Sequence, residues 1–459
     1  MAQKRAAEEP TTTKESTTLK GTRPAGLRFT ILNLLLLCSC TLILLPGFFE
    51  IAPLLKRVKG LRDAFHDLDN HCQSAKPITA SEFHDRQRRL AETLLDLNAS
   101  AYIAEPGASA QYFGNISTAS WKLSERPLLL IITPHLVNDS QVEAKVSILT
   151  PHFEATRAKL LPVPSEDVNY IEWREEENPY EVAASVLPMR KTVYLDDSAR
   201  LFISSGFQQA LQHAQVSPSP SEIREIRQRK SKAEIELLKC ANEATLLAIR
   251  AVHKRMYIGM KESVASGMMS MALQTAGLEG GSCLTLFGEN AALPHGSGSD
   301  RALGEHDFAL FDCVGSLHGY HSDVTRATLY QTKVPPEHRA IWGDVHFAQT
   351  VASRVALAGT ITQDVDAAAR SFLDLTGRGS YFTHRLGHGI GLETHEEPYL
   401  RGGSLDIIQT GHTFSNEPGI YIEGKVGVRL EDCFYIDSSG QSIFLTEGVG
   451  GQALSPWDP

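Results

Sequence analysis

Two aspartates eleven residues apart, set inside strand-like sequence, constrain this chain more than any other feature. Residues 307–315 (Asp-Phe-Ala-Leu-Phe-Asp-Cys-Val-Gly) and residues 320–330 read as β-strands joined by the hairpin-length connection Ser-Leu-His-Gly. With the turn centred between Leu317 and His318, Asp312 lies directly opposite Asp323 on one face, the Cβ atoms about 5 Å apart. Two carboxylates facing each other within an apolar hairpin repel unless a cation lies between them. A pair of metal ions resolves the conflict, since two-metal hydrolases hold their ions about 3.5–4 Å apart and bridge them with carboxylates. A slip of register is the other possibility, and it sends one aspartate into solvent.

A second stretch, residues 384–398 (His-Arg-Leu-Gly-His-Gly-Ile-Gly-Leu-Glu-Thr-His-Glu-Glu-Pro), places three histidines among three glycines. It is a poor core, because buried imidazoles need partners and glycine adds little apolar area. The run suits close backbone approach and ligation, provided that other ligand-type residues converge on it; otherwise it is a solvated glycine-rich loop. Further on, Thr413-Phe-Ser-Asn-Glu-Pro-Gly-Ile-Tyr-Ile puts Glu417 where a strand meets a Pro-Gly turn. Residues 426–436 then read as one strand, whose period of two sends Val428, Leu430 and Phe434 to one side and Arg429, Glu431 and Cys433 to the other. An ordinary Arg–Glu pair on an edge strand is the plainer reading of Arg429 and Glu431. Together Asp312, Asp323, His388, Glu417 and Glu431 form an oxygen-rich set with one imidazole, suited to Mn, Co or Zn ions rather than to a thiolate zinc site.

Asp312 with Asp323, His-x-x-Gly-His-Gly-Ile-Gly, Ser-Asn-Glu-Pro-Gly-Ile-Tyr and Val-Arg-Leu-Glu-Asp resemble the signature of the pita-bread metallopeptidases (M24), in the prolidase and aminopeptidase P branch. The resemblance covers the chain from about Arg227 onward and, weakly, the part before it, which is similar to a creatinase-type N-terminal domain. It implies an α+β chain with a C-terminal pita-bread catalytic domain (223–459) and a smaller creatinase-type α/β domain (60–222); a single transmembrane helix before them is a departure from the family pattern. It also implies that His295 and His395 are substrate-side histidines and that His384 and Arg429 line the site. Arg385 stands where the family usually has glycine, which bears on the shape of the pocket beside His384.

Composition fits a globular protein with a sizeable core: 459 residues, 42% apolar and 21% charged. A net charge of −10 offers no basic field for a nucleic acid. Residues 1–28 read as a disordered tail and residues 29–51 as a transmembrane helix, because positions 29–49 carry no charge over 21 residues. A buried core helix and a cleaved signal peptide are the alternatives. Lys4, Arg5, Lys14, Lys20, Arg23 and Arg28 before the run outnumber Lys56, Arg57, Lys59 and Arg62 after it, which places the N-terminus in the cytosol. The glycosylation sequons at Asn98, Asn115 and Asn138 agree with a lumenal or extracellular body. The pattern at residues 80–215 is α/β, Ser217-Pro-Ser-Pro-Ser221 reads as a linker, and Ser231-Lys-Ala-Glu234 is a capping box opening an amphipathic helix. Seven cysteines form no Cys-x-x-Cys pair and no dense framework; apart from Cys38 and Cys40 there are five, so at least one of those is unpaired in a monomer.

The expectation is a membrane-anchored metallo-exopeptidase that hydrolyses the bond between an N-terminal residue and proline, with two divalent ions, Mn first, and a homodimeric assembly. Two ions would supply a nucleophilic water and polarise the scissile carbonyl. Glu417 would act as ligand and base, and His295 and His395 would donate hydrogen bonds to the oxyanion or leaving nitrogen. A catalytically inactive pita-bread binding protein is the alternative, disfavoured because all five ligands are present. A creatine-type amidinohydrolase is disfavoured on the same ground, and a methionine aminopeptidase by the domain before Ser231.

Overall fold

A computed structural model describes residues 65–69, 71–138, 141–165, 167–188, 192–296 and 299–459. The apolar run at 29–49 lies outside these, and among the described residues no helix is long and apolar enough to cross a membrane.

Six strands, β1 (Ala99–Ala104), β2 (Leu129–Asn138), β3 (Gln141–Pro151), β4 (Asn169–Trp173), β5 (Thr192–Leu195) and β6 (Gln215–Pro218), form one mixed sheet in the order β4-β3-β2-β1-β5-β6. Strand β1 is buried along its whole length, as befits a strand covered on both faces. Alternate residues feed two separate cores. Tyr102, Leu130, Ile132 and Ile148 pack with Leu90 and Leu94 of the helix Ala80–Asp96, while Ile103, Ile131 and Val193 pack with Ile203 and Phe207 of the helix Leu201–Ala210.

The segment read as a linker is structured. Ser217 and Pro218 close β6, and Ser221 opens the helix Ser221–Gln228. Strand β6 is an edge strand, where a proline costs no ladder hydrogen bond. The capping box is formed as expected: Ser231 Oγ accepts from Glu234 N and the Glu234 carboxylate accepts from Ser231 N. On the helix it opens, Lys232–His253, the residues Ile235, Leu238, Ala241, Leu246, Ile249 and Val252 are all buried.

Three further antiparallel sheets complete the body. One is β7 (Glu279–Phe287), β8 (Ala309–Leu317) and β9 (Tyr320–Thr328). The second holds β10 (Gly387–Gly389), β11 (Glu396–Leu400), β12 (Thr413–Asn416), β15 (Asp432–Ile436) and β16 (Ser442–Phe444), and the third pairs β13 (Gly419–Ile422) with β14 (Val426–Arg429). A pair of helices, Lys232–His253 and Glu262–Thr275, packs on β7 to β9. A second pair, Pro336–Val355 and Thr362–Leu375, repeats the pattern, with Gly259 and Gly359 at φ 91° and 92° in the corresponding turns. The sequence shows no repeat at solenoid periods, and this one spans about a hundred residues, well beyond them.

Two disulfides, Cys72–Cys240 and Cys283–Cys313, close loops that residue spacing did not reveal; Cys433 is the unpaired cysteine among the described residues and is buried. Cys283 and Cys313 are direct partners across β7 and β8, so strand register sets that pairing.

Candidate metal centre

The β8–β9 hairpin carries the first two carboxylates, and its register differs from expectation. His318 and Gly319 both adopt positive φ, 50° and 85°, giving a two-residue turn one position later than predicted. Leu317 therefore pairs with Tyr320, Asp312 with Thr325 and Val314 with Asp323. Asp312 and Asp323 are diagonal neighbours rather than directly opposite. They keep a common face, because a two-residue shift of partner preserves the strand period.

The supposed single strand at 426–436 is also two strands. Strand β14 pairs with β13 and β15 with β12, and between them Glu431 exchanges both backbone hydrogen bonds with Thr325 of β9, Glu431 N to Thr325 O at 3.0 Å and Thr325 N to Glu431 O at 3.3 Å. The switch of partner breaks the ladder and presses Glu431 against the hairpin that bears the aspartates. Glu417 follows β12 directly, its N–H bonded to Leu386 O at 2.9 Å.

The structure brings all five proposed ligands together. Ligand atoms of Asp312, Asp323 and Glu431 lie within 4.8 Å of one another, as do those of His388, Glu417 and Glu431, and those of Asp323, His388 and His395. His388 Nε2 is 3.2 Å from Glu417 Oε1 and 3.6 Å from Asp323 Oδ2, while its Nδ1 faces Gly389 O at 3.0 Å. Donation of the Nδ1 proton to that carbonyl leaves the Nε2 lone pair for a cation. His395 sets its ring edge-to-face on His388, with centroids 4.2 Å apart. Arg429 does not pair with Glu431 as a plain edge-strand couple would. Its Nη2 donates to Asp312 Oδ2 at 2.6 Å and its Nη1 to Tyr421 Oη at 3.0 Å. Thr325 Oγ1 donates to Glu431 Oε2 at 2.7 Å.

A cavity of about 1150 Å³ opens over this cluster, and His295, His384, Arg385 and Arg401 line it as well. His295 is exposed, while His384 is half-buried and meets Tyr421 Oη at 2.8 Å. The Arg385 guanidinium lies over the Tyr399 ring, 4.8 Å from its centroid. Asn98, Asn115 and Asn138 are not part of the lining. Asn98 and Asn138 are exposed, and Asn115 is half-buried with its Nδ2 donating to Pro162 O at 3.1 Å.

Charge balance tests whether these residues fit metal ions. Burial, then the charges of Glu431, Asp312 and Glu417, raises the Asp323 pKa well above the usual carboxylate range. Burial, then Glu417 and Asp312, does the same to Glu431, and burial first pushes Glu417 up to about 7. Burial lowers the pKa of His388 and takes that of His384 down to about 4, so neither ring offers a compensating positive charge. Partial burial, then the charges of His388 and Arg385, lowers His395 to about 4. Glu431 Oε1 is buried with no hydrogen-bond partner. Four carboxylates with one arginine, Arg429, in hydrogen-bond contact, an orphaned oxygen and a neutral imidazole fit divalent cations.

Sequence reasoning missed Thr325, Tyr421 and Ser415. Thr325 lies two residues beyond Asp323 on the same strand face, and Tyr421 has the same relation to Gly419 in β13, so period two offered a signal for the first. Ser415 Oγ, which links His388 N at 3.1 Å to Glu417 Oε1 at 3.3 Å, had none.

Hard oxygen donors and an imidazole converging in an open cavity make the site of a metal-dependent hydrolase. Residues 236–438 match metallopeptidase family M24. An uncharacterized peptidase of Schizosaccharomyces pombe is 39% identical over 389 residues, covering 83% of this chain and 84% of the relative. Dipeptidase PepE from Mycobacterium ulcerans superposes with a TM-score of 0.72 at 26% identity, over 81% of this chain and 97% of that one. A prolidase from Thermococcus sibiricus does so with a TM-score of 0.69 at 25% identity, over 81% and 98%. The chain belongs to metallopeptidase family M24, with its mixed α/β pita-bread fold, and is a peptidase.

Proposed function

We propose that this protein is a dinuclear metal-dependent exopeptidase acting on the bond between an N-terminal residue and a following proline. The observation that carries the proposal is the convergence of Asp312, Asp323, His388, Glu417 and Glu431 beneath one cavity that also holds His295, His395 and Arg429. Similarity to a prolidase and to a dipeptidase supports the substrate class.

The five residues would hold two divalent ions, Mn foremost, which when bound supply Lewis acidity toward water and the scissile carbonyl. Glu417 is placed to accept the proton of the attacking water. Arg429 anchors Asp312 through a 2.6 Å charge-assisted bond and keeps its carboxylate aimed into the cluster. His395 is neutral near pH 7 and can donate an N–H to the oxyanion or leaving nitrogen, with His295 on the exposed side of the cavity doing the same. A residue before proline is joined through a tertiary amide with no N–H, so a site that grips the carbonyl oxygen and fits the ring by shape can accept it.

Purified protein with Mn should release the first residue from Ala-Pro and leave N-acetyl-Ala-Pro intact. Hydrolysis of Ala-Ala as fast as Ala-Pro would overturn the proline assignment while leaving the metallopeptidase intact. Parallel assays on Gly-Pro and Gly-Pro-Pro separate a dipeptidase from an aminopeptidase, metal analysis counts the ions, and light scattering tests the homodimer.

The same reading places the body on the lumenal or extracellular side behind an N-terminal membrane anchor. The two disulfides and the exposed Asn98 and Asn138 support it, since disulfides persist in oxidising compartments. Protease added to sealed microsomes should spare the body, and endoglycosidase should shift its mobility; digestion without detergent would reverse the orientation.

A further inference from the structure

Next to the cavity, three cations meet three glutamates that flank His395. Arg224 Nε donates to Glu397 Oε2 at 2.9 Å, Arg227 Nη2 to Glu393 Oε2 at 2.6 Å, and Lys230 Nζ to Glu396 Oε1 at 2.6 Å. The three contacts are not equivalent. Glu397 and Glu393 have side chains 43% and 45% exposed, so their pairs are screened by solvent. Lys230 and Glu396 are each 2% exposed. Lys230 gives its remaining protons to Arg227 O at 3.0 Å and Gln228 O at 3.1 Å, so every ammonium donor is used and its position is fixed. Removing Lys230 takes away the hydrogen bond to Glu396 Oε1 and leaves this buried carboxylate only a longer ionic contact with Arg227, whose Nη2 lies 3.9 Å from Glu396 Oε2.

Glu396 follows His395 directly and pairs in register with Gly389, whose carbonyl faces His388 Nδ1. Gly391 lies between them, and a Cβ there would stand 2.6 Å from Glu396 Oε1 and 2.8 Å from Lys230 Cε. Gly391 O in turn accepts from His321 N at 2.9 Å, two residues before Asp323. The loop that carries both histidines is therefore packed against Lys230, although Lys230 does not line the cavity.

We propose that Lys230 is a positioning residue for His395: its ammonium holds Glu396 and thereby sets the His395 ring against His388. The proposal rests on the reading of His395 as a hydrogen-bond donor to the transition state. In the full-length, metal-loaded enzyme, Lys230→Met should lower kcat about 10- to 100-fold with KM and bound metal unchanged. Combined with His395→Ala it should add no further loss, because both act through one group. Equal losses in the presence and absence of His395, or loss of metal in step with activity, would overturn the proposal. A second readout avoids turnover altogether: diethyl pyrocarbonate labelling of His395 in metal-free protein, followed by mass spectrometry, should change several-fold in Lys230→Met while His384 is unaffected. If His395→Ala proves fully active, the catalytic reading of His395 fails, and the labelling alone decides whether Lys230 positions it; an unchanged rate refutes that. Should Lys230→Met not fold, the charge-free pair Lys230→Met with Glu396→Gln takes its place in both measurements.

Discussion

Glu431 and Asp432 are chain neighbours, both fully buried, yet they belong to two differently constructed regions. Asp432 faces a polar network that meets its charge: Arg326 Nη2 at 2.8 Å, Thr446 Oγ1 at 2.7 Å and Gln349 Nε2 at 3.1 Å all donate to it, and Arg326 itself is fully buried, with only its Nε left without a partner. Glu431 faces three other carboxylates, receives one hydroxyl, and keeps an oxygen without a partner. One side of the strand thus spends its charge on stability, and the other leaves a negative excess that the protein alone cannot neutralise. Adjacent carboxylates with equal burial are told apart by the balance of their partners, and that balance separates a structural ion pair from a metal site.

The comparison can be broken most forcefully on its balanced side. Asp432→Ala strands a buried guanidinium and should cost about 3–5 kcal/mol in urea unfolding; a loss below about 1 kcal/mol would show that Arg326 finds other partners. On the unbalanced side the outcome inverts. Asp323→Asn and His388→Ala should each lower bound metal and activity together, by more than about 100-fold, the upper end for residues that only support a ligand. Metal-free Asp323→Asn should nevertheless melt no lower than the metal-free parent, because the substitution relieves repulsion. Unchanged metal content in both folded variants would exclude them as ligands.

A pH series sharpens the contrast. Asp323, Glu417 and Glu431 have folded-state pKa values raised above their unfolded ones, Glu417 from 4.5 to about 7. The folded protein then binds more protons than the unfolded chain in that window, so their contribution is fully present below the usual carboxylate range and is lost as pH rises through the folded values. Metal-free protein should lose thermal stability over that window, and added Mn should raise Tm more at about pH 8 than at about pH 5. A flat profile without metal would mean that the carboxylates are not coupled. The smallest effect is expected at Tyr421→Phe, which removes the hydroxyl shared by Arg429 and His384 and should lower kcat/KM about fivefold, the equivalent of about 1 kcal/mol.

The sequence by itself determined the donors and their local settings. Asp312, Asp323, His388, Glu417 and Glu431 were legible because carboxylates inside apolar strands and histidines among glycines make poor core, and the capping box at Ser231 and Glu234 acts over only three residues. Even the common face of the two aspartates survived an error in the turn, since a shift of two residues leaves the strand period intact. Tertiary structure alone decided what depends on partners far along the chain. The break between β14 and β15 exists because Glu431 pairs with Thr325, 106 residues away, and the cysteine bridges span 168 and 30 residues. Lys230 looks like any surface lysine until Glu396, 166 residues later, is packed against it. Local propensity acts through neighbouring torsions and side chains, whereas burial and charge balance are set by whichever distant segment the fold brings alongside.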